Sequence, residues 1–289
     1  MFDLPSDGWR TRFAPAPTGF LHLGHVVNAV WVWGLARRFG GTVVLRVEDH
    51  DLVRSRPEYE AALREDLAWL GLVADEEAPR QSERGERYSA VLRELGELVY
   101  PCTCSRKTIR AAVERLGRPE GDEVWYPGTC RERGIDPATT HARRLRLERE
   151  EIRFTDRRLG EQAQTPAEQC GDLLVRDRDG HWSYQFAVVV DDMDQGIDVV
   201  IRGEDLLAST GRQIQLAALL GRHEPPRFLH HPLVLRPDGE KLSKSNRDTG
   251  IRELRAAGWS AERVLAEAVR LGELPEEVAS AAFGKLPER

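Results

Sequence analysis

An alternation of strand, turn, helix and strand near the N-terminus constrains the fold more than any other feature of this sequence. Residues 10–16 are typical of a short strand, and the turn His22-Leu23-Gly24-His25 follows them. Residues 26–39 carry apolar side chains at helical spacing, and residues 42–47 are a largely β-branched run that suits a buried strand. Because a β-α-β unit closes onto a parallel sheet, we predict a doubly wound, parallel-sheet α/β fold.

The same periods return in the second half of the chain. Residues 199–202 have the buried-strand pattern again, and residues 206–220 have the helical one. Residues 173–176 and 182–186 flank the turn sequence Asp177-Arg178-Asp179-Gly180, which predicts a β-hairpin. Short helices are expected from residue 251 onward.

Composition excludes some classes of protein. The 289 residues carry a net charge of −6, with 40% hydrophobic and 31% charged residues. These values predict one large domain, or one domain with an insertion, in a cytoplasmic protein that we expect to be a monomer. The negative charge argues against general coating of nucleic acid. An arginine-rich stretch from Arg131 to Arg153 is equally compatible with a solvated surface and with phosphate contacts.

Two short turns far apart suggest nucleotide chemistry. The His22-Leu23-Gly24-His25 turn opens a predicted helix, whose unpaired N–H groups attract phosphate, and Gly24 permits close approach. The loop Lys241-Leu242-Ser243-Lys244-Ser245 offers cationic groups to phosphoryl oxygens. Either motif alone also fits a structural histidine pair or a solvated loop. Their order and the β-rich half between them favour ATP-driven activation of a carboxylate.

A cysteine-bearing stretch interrupts the α/β pattern. Cys102, Cys104 and Cys130 lie close in sequence, which suggests a structural zinc site that lacks one ligand. His141 is the fourth candidate from chemistry alone, and three free thiols in an irregular insertion are the alternative. The adjacent carboxylates of Asp191 and Asp192 point in different directions on any regular element, so we interpret them as structural and not as a magnesium pair.

The chain resembles the catalytic half of class I aminoacyl-tRNA synthetases of the glutamyl subgroup. Five stretches between about residues 10 and 245 match in the family's order: Arg12-Phe13-Ala14-Pro15-Ala16-Pro17-Thr18-Gly19 with His22–His25, Arg46-Val47-Glu48-Asp49, Tyr184 with Val188-Val189-Val190-Asp191-Asp192, Arg202-Gly203-Glu204-Asp205-Leu206, and Lys241–Ser245. The resemblance implies a Rossmann-type catalytic domain with an inserted zinc-binding subdomain and a short helical C-terminal appendage. The expected division is residues 1–98 and 169–250 for the two catalytic halves, 99–168 for the insertion, and 251–289 for a short helical segment without an anticodon-binding domain.

The resemblance also implies roles for single residues. Arg12 and Arg202 would bind carboxylate groups of glutamate, Glu48 its ammonium group, and Tyr184 would add a hydroxyl, in a pocket shared with Ala14 and Ala16. His22, Gly24, His25, Lys241 and Lys244 would bind ATP and stabilise the departing pyrophosphate. Tyr126 would complete the zinc site with Cys102, Cys104 and Cys130. A structural ion pair of Arg202 with Glu204 or Asp205, and a place for Tyr184 in a hairpin core, are the alternatives.

The short segment after Ser245 bears on the expected substrate. Full glutamyl enzymes continue into a large helical domain that reads the anticodon, whereas residues 246–289 suffice for two or three short helices. The family includes short members that activate glutamate with ATP and Mg²⁺ without tRNA, and then transfer it to the queuosine base at the wobble position in the anticodon loop of tRNA(Asp). The alternatives are an enzyme that charges tRNA(Glu) with a partner protein, a non-catalytic sensor of amino acid or nucleotide, and a zinc-dependent RNA-binding module.

Overall fold

The N-terminal strand–helix–strand unit forms as predicted. We describe a computed structural model for residues 2–118, 124–234 and 250–287. Its helices and strands, in chain order, are β1 (Arg10–Phe13), α1 (Leu23–Phe39), β2 (Thr42–Leu45), α2 (Pro57–Trp69), β3 (Glu76–Glu77), α3 (Gly85–Glu94), β4 (Val99–Pro101), α4 (Arg106–Arg115), β5 (Arg143–Leu145), β6 (Ile152–Asp156), β7 (Gly160–Gln164), α5 (Pro166–Gln169), β8 (Leu173–Arg176), α6 (Tyr184–Asp194), β9 (Val199–Gly203), α7 (Thr210–Leu219), β10 (Arg227–His231), α8 (Ile251–Ala256), α9 (Ala261–Leu271) and α10 (Glu276–Phe283). Strands β1, β2 and β3 form a parallel sheet in that order.

Helix α1 is buried on nearly all sides, which explains its continuous apolar sequence. Its residues from Val26 to Ala36 lie in the main hydrophobic core, with Asn28 as a half-buried exception. A helix that is apolar all round needs neighbours on every side. The sheet covers one side, and helices α9 and α10 pack against the other. The helix ends at Gly40, whose φ of 67° is the left-handed conformation typical of a helix C-terminus.

A second unit of mainly parallel strands contacts β1 of the first unit. Strands β9 and β10 are parallel neighbours, with β6 parallel on the far side of β10 and β7 antiparallel to β6. The N–H of Asp198, just before β9, donates to the carbonyl of Arg10 in β1 at 2.9 Å. This hydrogen bond brings the beginnings of β1 and β9 side by side. The two strands therefore adjoin at the switch point between the two units.

A third, small sheet is antiparallel, in the order β4, β5, β8. The predicted hairpin beyond β8 is partly wrong: Trp182 forms a single bridge to Arg176, and residues 184–186 begin helix α6. The turn itself forms, because Asp177 accepts hydrogen bonds from the N–H groups of Asp179 and His181. The hydroxyl of Ser183 then caps α6 by accepting from the N–H of Phe186, and this N-cap outweighs the strand preference of the aromatic residues.

Short helices follow residue 250, as predicted. The indole N–H of Trp31 in α1 donates to the carbonyl of Gly272 at the end of α9. Gly34 allows α1 and α10 to pack closely, since a Cβ there would lie 3.2 Å from Leu274 and 3.3 Å from Val278. Within the described residues, none of the helices has the length and apolar character that a membrane crossing requires.

Candidate functional site

The ends of β1, β2, β9 and β10 open onto one cavity of about 590 Å³. This is where doubly wound sheets usually bind ligands. Two of the residues predicted from the sequence, Lys241 and Lys244, lie outside the described residues. The other residues predicted for amino-acid and nucleotide binding all line the cavity: Arg12, Ala14, Ala16, His22, Gly24, His25, Glu48, Tyr184 and Arg202.

His22 and His25 cap helix α1 at the edge of the cavity. Nδ1 of His22 accepts a hydrogen bond from the N–H of Gly24 at 3.1 Å, and Nδ1 of His25 accepts from the N–H of His22 at 3.1 Å. A neutral imidazole that accepts at Nδ1 carries its hydrogen on Nε2. Both rings therefore hold an N–H donor beside a helix N-terminus, an arrangement that favours phosphate oxygens.

Arg12 is oriented by a carboxylate from the second unit. Its Nε donates to the two oxygens of Asp192 at 3.2 and 3.3 Å. Asp192 also accepts from Arg46 at 2.7 Å, and Arg46 reaches Glu48 at 3.0 Å. Although burial favours the neutral acid, Arg12 and Arg46 hold the pKa of Asp192 below its usual value. Arg46 thus links Asp192, which orients Arg12, to Glu48.

Glu48 lies just beyond β2 with 5% of its surface exposed. Burial raises the pKa of Glu48, and the charges of Arg46 and Arg12 only partly oppose this effect. A further cation beside the carboxylate would favour its ionised form. The environment of Glu48 therefore suits a ligand that brings a positive charge.

Arg202 is buried with neutral partners. Its guanidinium donates to Nε2 of His230 at 3.0 Å, to Gln213 at 2.7 Å and to Thr210 at 2.8 Å. In the part of the chain that the structure describes, Arg202 forms no ion pair, and Glu204, one of its suggested partners, pairs with Arg158. Burial and the nearby charge of Arg12 lower the pKa of Arg202. An anionic ligand would supply the missing negative charge.

Tyr184 begins α6 and lines the cavity, so it is not a hairpin core residue. Burial and the carboxylate of Glu48 raise the pKa of Tyr184. Its hydroxyl therefore remains protonated near neutral pH and can both donate and accept a hydrogen bond.

Asp191 and Asp192 point apart, as interpreted from the sequence. Asp191 contacts Gln81 at 2.7 Å, Arg84 at 2.7 Å and Tyr88 at 2.9 Å, whereas Asp192 contacts Arg12. The two carboxylates accept hydrogen bonds from different groups, although both lie near Arg46, whose Nε is 3.8 Å from Oδ2 of Asp191. Asp192 gains a role in orienting Arg12.

Sequence reasoning missed several residues of this region. Asn28 and His231 line the cavity and contact each other at 3.1 Å, and His50 lines it beside Gln81. Asn28 could have been found, because it lies one helical turn beyond His25. His231 had no local signal, since its place depends on the pairing of β10 with β9.

The three cysteines meet at one point in the insertion. Their sulfur atoms lie within 4.8 Å of one another, and those of Cys104 and Cys130 are 3.4 Å apart. The hydroxyl oxygen of Tyr126 lies 3.5 Å from the sulfur of Cys102 and accepts from the N–H of Cys130 at 2.9 Å. His141 is exposed and does not belong to the group. The cluster could hold a metal ion, with Tyr126 as the adjoining oxygen donor.

Three arginines of the arginine-rich stretch make contacts within the protein. Arg131 pairs with Asp172, and Arg146 pairs with Glu132 at 3.0 Å. Arg144 is buried, and its guanidinium carbon lies 3.6 Å from the centre of the Tyr126 ring. These contacts favour a structural role for these three arginines.

Comparison with known proteins gives a consistent family. The family described as "tRNA synthetases class I (E and Q), catalytic domain" matches residues 9–282. A relative from Deinococcus radiodurans named "Glutamyl-Q tRNA(Asp) synthetase" is 43% identical over 258 residues, covering 89% of this chain and 86% of the relative. A protein of the same name from Pseudomonas aeruginosa (strain LESB58) is 42% identical over 274 residues, covering 89% and 88%.

Among solved structures, the fold is similar to a glutamate tRNA ligase from Elizabethkingia meningosepticum in complex with its amino acid. The TM-score is 0.71 at 30% identity, over 87% of this chain and 53% of that one. The chain thus spans about half the length of that ligase. Together with the residues assembled in the cavity, these matches show that the chain is a ligase that belongs to the family of class I tRNA synthetases of the glutamyl and glutaminyl type, as do the relatives named "Glutamyl-Q tRNA(Asp) synthetase".

Proposed function

We propose that this enzyme activates L-glutamate with ATP to form glutamyl-adenylate without tRNA, and then transfers glutamate to the queuosine base at the wobble position of tRNA(Asp). One observation carries the first step: a single cavity joins the capped end of α1 to two buried arginines, Glu48 and Tyr184. The names of the relatives support the acceptor.

The charges of the cavity fit glutamate. Arg12 and Arg202 would bind its carboxylate groups, Glu48 its ammonium group, and Tyr184 would add a directional hydrogen bond. Arg12 is already compensated by Asp192, whereas the described partners of Arg202 are neutral. Ala14 and Ala16 leave room beside these groups because their side chains are small.

The nucleotide would lie at the N-terminus of α1. Gly24 lets the phosphates approach the backbone, and the Nε2–H groups of His22 and His25 would donate to phosphoryl oxygens. Lys241 and Lys244 remain predicted to stabilise the leaving pyrophosphate. ATP would enter as a magnesium complex, in which the metal neutralises phosphate charge.

The proposed mechanism is a two-step acyl transfer. A carboxylate oxygen of glutamate attacks the α-phosphorus of ATP, the bond to the β-phosphate oxygen breaks, and pyrophosphate leaves. A hydroxyl of the cyclopentenediol of queuosine then attacks the carbonyl carbon of the mixed anhydride. The bond from that carbon to the phosphate oxygen breaks, AMP leaves, and the hydroxyl proton is released to solvent. Positioning is sufficient for this second step because adenylates are already reactive.

The cysteine cluster is proposed as a structural zinc site with the ligands Cys102, Cys104, Tyr126 and Cys130. Zn–S bonds of about 2.3 Å place tetrahedral sulfur ligands about 3.8 Å apart. The observed spacings, 3.4 Å for Cys104 and Cys130 and within 4.8 Å for the set, fit after small adjustments. Zinc there would cross-link the insertion and take no part in acyl transfer.

The proposed division of the chain also remains part of this proposal, with boundaries after residues 98, 168 and 250. The separate antiparallel sheet β4-β5-β8 supports an insertion, since β4 and β5 fall within residues 99–168 and β8 follows them. Strand β6, which lies within the proposed 99–168 segment, pairs with β10 of the second unit and so connects the insertion to the catalytic sheet.

Two assays test the function. Glutamate-dependent ATP–pyrophosphate exchange should proceed without tRNA, and exchange only in the presence of tRNA(Glu) would favour the alternative of a glutamyl enzyme that charges tRNA(Glu). Labelled glutamate should then transfer to tRNA(Asp) that contains queuosine and not to tRNA(Asp) that lacks it. Equal transfer to both would refute the proposed acceptor.

A further inference from the structure

A buried histidine–aspartate pair, which does not belong to the cavity lining, contacts Arg202. Nε of Arg202 donates to Nε2 of His230 at 3.0 Å, and Nδ1 of His230 lies 2.7 Å from Oδ2 of Asp156. His230 is 0% exposed and Asp156 is 1% exposed. Neither residue lines the cavity, and the proposed mechanism does not use them.

The contacts define which nitrogen of His230 carries the hydrogen. A guanidinium can only donate, so Nε2 of His230 must act as an acceptor. The hydrogen therefore lies on Nδ1 and is donated to Asp156. Burial lowers the pKa of His230, which favours this neutral ring.

Asp156 is itself fixed by the chain. Its Oδ1 accepts from the N–H groups of Arg158 at 3.0 Å and Leu159 at 2.8 Å, and its Oδ2 accepts from the N–H of His230 at 3.1 Å. All of these contacts are donated to Asp156, so the carboxylate presents an acceptor and never a donor to the imidazole.

We infer that Asp156 and His230 are positioning residues for Arg202: Asp156 selects the tautomer in which His230 accepts, and His230 then orients the guanidinium toward the cavity. The inference rests on the proposed function, in which Arg202 binds glutamate. If His230 carried its hydrogen on Nε2, that N–H would face the Nε–H of Arg202. Two donors would then point at each other, and Arg202 would be displaced. Thr210 and Gln213 accept hydrogen bonds from the other two nitrogens of Arg202. Loss of the contact with His230 would therefore change the orientation of the guanidinium and would not release it.

The kinetic test uses Asp156→Asn and two variants of His230. Asparagine has almost the same shape as aspartate, but its side chain can present either an oxygen acceptor or an N–H donor to Nδ1 of His230. His230→Leu removes the acceptor for Arg202. Each is expected to raise KM for glutamate about 10- to 100-fold, the usual effect of losing a hydrogen bond to a charged group. KM for ATP should stay unchanged. His230→Gln retains a side-chain oxygen acceptor, so its KM for glutamate should rise much less than that of His230→Leu.

Matched controls come from a second pair of the same kind. Nδ1 of His181 lies 3.2 Å from Oδ2 of Asp177 in a half-exposed turn that does not line the cavity. Asp177→Asn and His181→Gln should therefore leave both KM values unchanged. Folded Asp156→Asn and His230→Leu enzymes with wild-type KM for glutamate would overturn the inference, as would equal increases in KM for ATP.

A spectroscopic test does not require activity. Long-range ¹H–¹⁵N spectra of the protein labelled at histidine should show His230 as a neutral ring protonated at Nδ1, and Asp156→Asn should disturb this signal. An Nε2–H ring or an imidazolium in the wild-type protein at neutral pH would overturn the inference. An absence of glutamate-dependent exchange in the wild type would instead refute the proposed function, so the two failures are distinguishable.

Discussion

Individual residues of the cavity differ in how their charges are compensated. Arg12 shares Asp192 with Arg46, so its charge is balanced inside the protein. Arg202 has neutral partners among the described residues and is nevertheless buried. Burial of a charge without an opposite charge is costly, and a carboxylate ligand would relieve that cost. An anionic ligand in the cavity would therefore be stabilised at Arg202.

Gly24 should be intolerant of even a methyl group. A Cβ there would lie 3.0 Å from Cε1 and 3.1 Å from Nδ1 of His22, so Gly24→Ala should shift the capping imidazole. We expect a fall in ATP–pyrophosphate exchange of roughly 10- to 100-fold, because small misplacements of binding groups have effects of this size. Gly85→Ala is the control, since nothing lies within 4 Å of a Cβ at that position. Exchange at the wild-type rate in Gly24→Ala would contradict the role of the turn.

Glu48 should make glutamate binding sensitive to acid. Its carboxylate form would bind the ammonium group, and burial raises the pKa of Glu48 above the ordinary value of 4.5. As the pH falls through this raised pKa, Glu48 gains a proton and loses its charge, so KM for glutamate should rise. The rise should begin at a higher pH than an ordinary glutamate would give. Steady-state exchange between about pH 5 and about pH 8 measures this effect.

Glu48→Gln provides the comparison. This variant should have a high KM for glutamate throughout that pH range and should lack the acid-dependent rise. If Glu48→Gln retains the same rise in KM on acidification, another group causes it.

At the scale of elements, the cysteine loops have little regular structure of their own. Cys102 and Cys104 lie between β4 and α4, and Cys130 follows residues 119–123, which are outside the described part. A small apolar cluster around Tyr100, Ile109 and Tyr126 accompanies them. A bound metal would therefore contribute a large part of the stability of this segment.

Removal of one cysteine ligand should release zinc and lower the thermal stability. We expect about one zinc ion per chain in the purified protein, and Cys130→Ser should lower both the zinc content and the Tm, the latter by at least about 5 °C. Metal analysis and calorimetry measure the two effects. Cys170→Ser is the matched control, because Cys170 is buried against Pro166 outside the cluster. A protein that contains no zinc after purification with zinc present would contradict the site.

At the scale of the whole molecule, Arg46 is a buried link between the two parallel units. Arg46 follows β2 of the first unit, is fully buried, and donates to Asp192 and Gln195 at the end of α6. It also contacts Glu48 at 3.0 Å. Loss of its charge would leave three buried carboxylates, those of Glu48, Asp191 and Asp192, less well compensated, which is more costly than loss of a surface ion pair.

Arg46→Met should therefore destabilise the whole fold. We expect the free energy of unfolding to fall by about 3–5 kcal/mol, measured by urea denaturation. Arg270→Gln, which removes an exposed pair with Glu267 in α9, should cost less than about 1 kcal/mol. Equal effects of the two substitutions would contradict a central role for Arg46.

The sequence by itself determined many of the local elements and nine of the residues that line the cavity. The periods of residues 26–39 and 42–47 predict α1 and β2, because burial on all sides demands continuous apolar runs. The resemblance placed Arg12, Glu48, Tyr184 and Arg202 at one site. The prediction failed at residues 184–186, where the hydroxyl of Ser183 starts a helix that the alternation of aromatic residues does not reveal.

Only the tertiary structure decided which groups orient those residues and compensate their charges. Asp192 reaches Arg12 across 180 positions, and His230 reaches Arg202 from the next strand of the sheet. Likewise, the fold brings Tyr126 to the thiols and leaves His141 exposed. Hydrogen bonds and charge compensation between distant segments depend on strand order and helix packing, whereas propensity and periodicity are properties of neighbours along the chain.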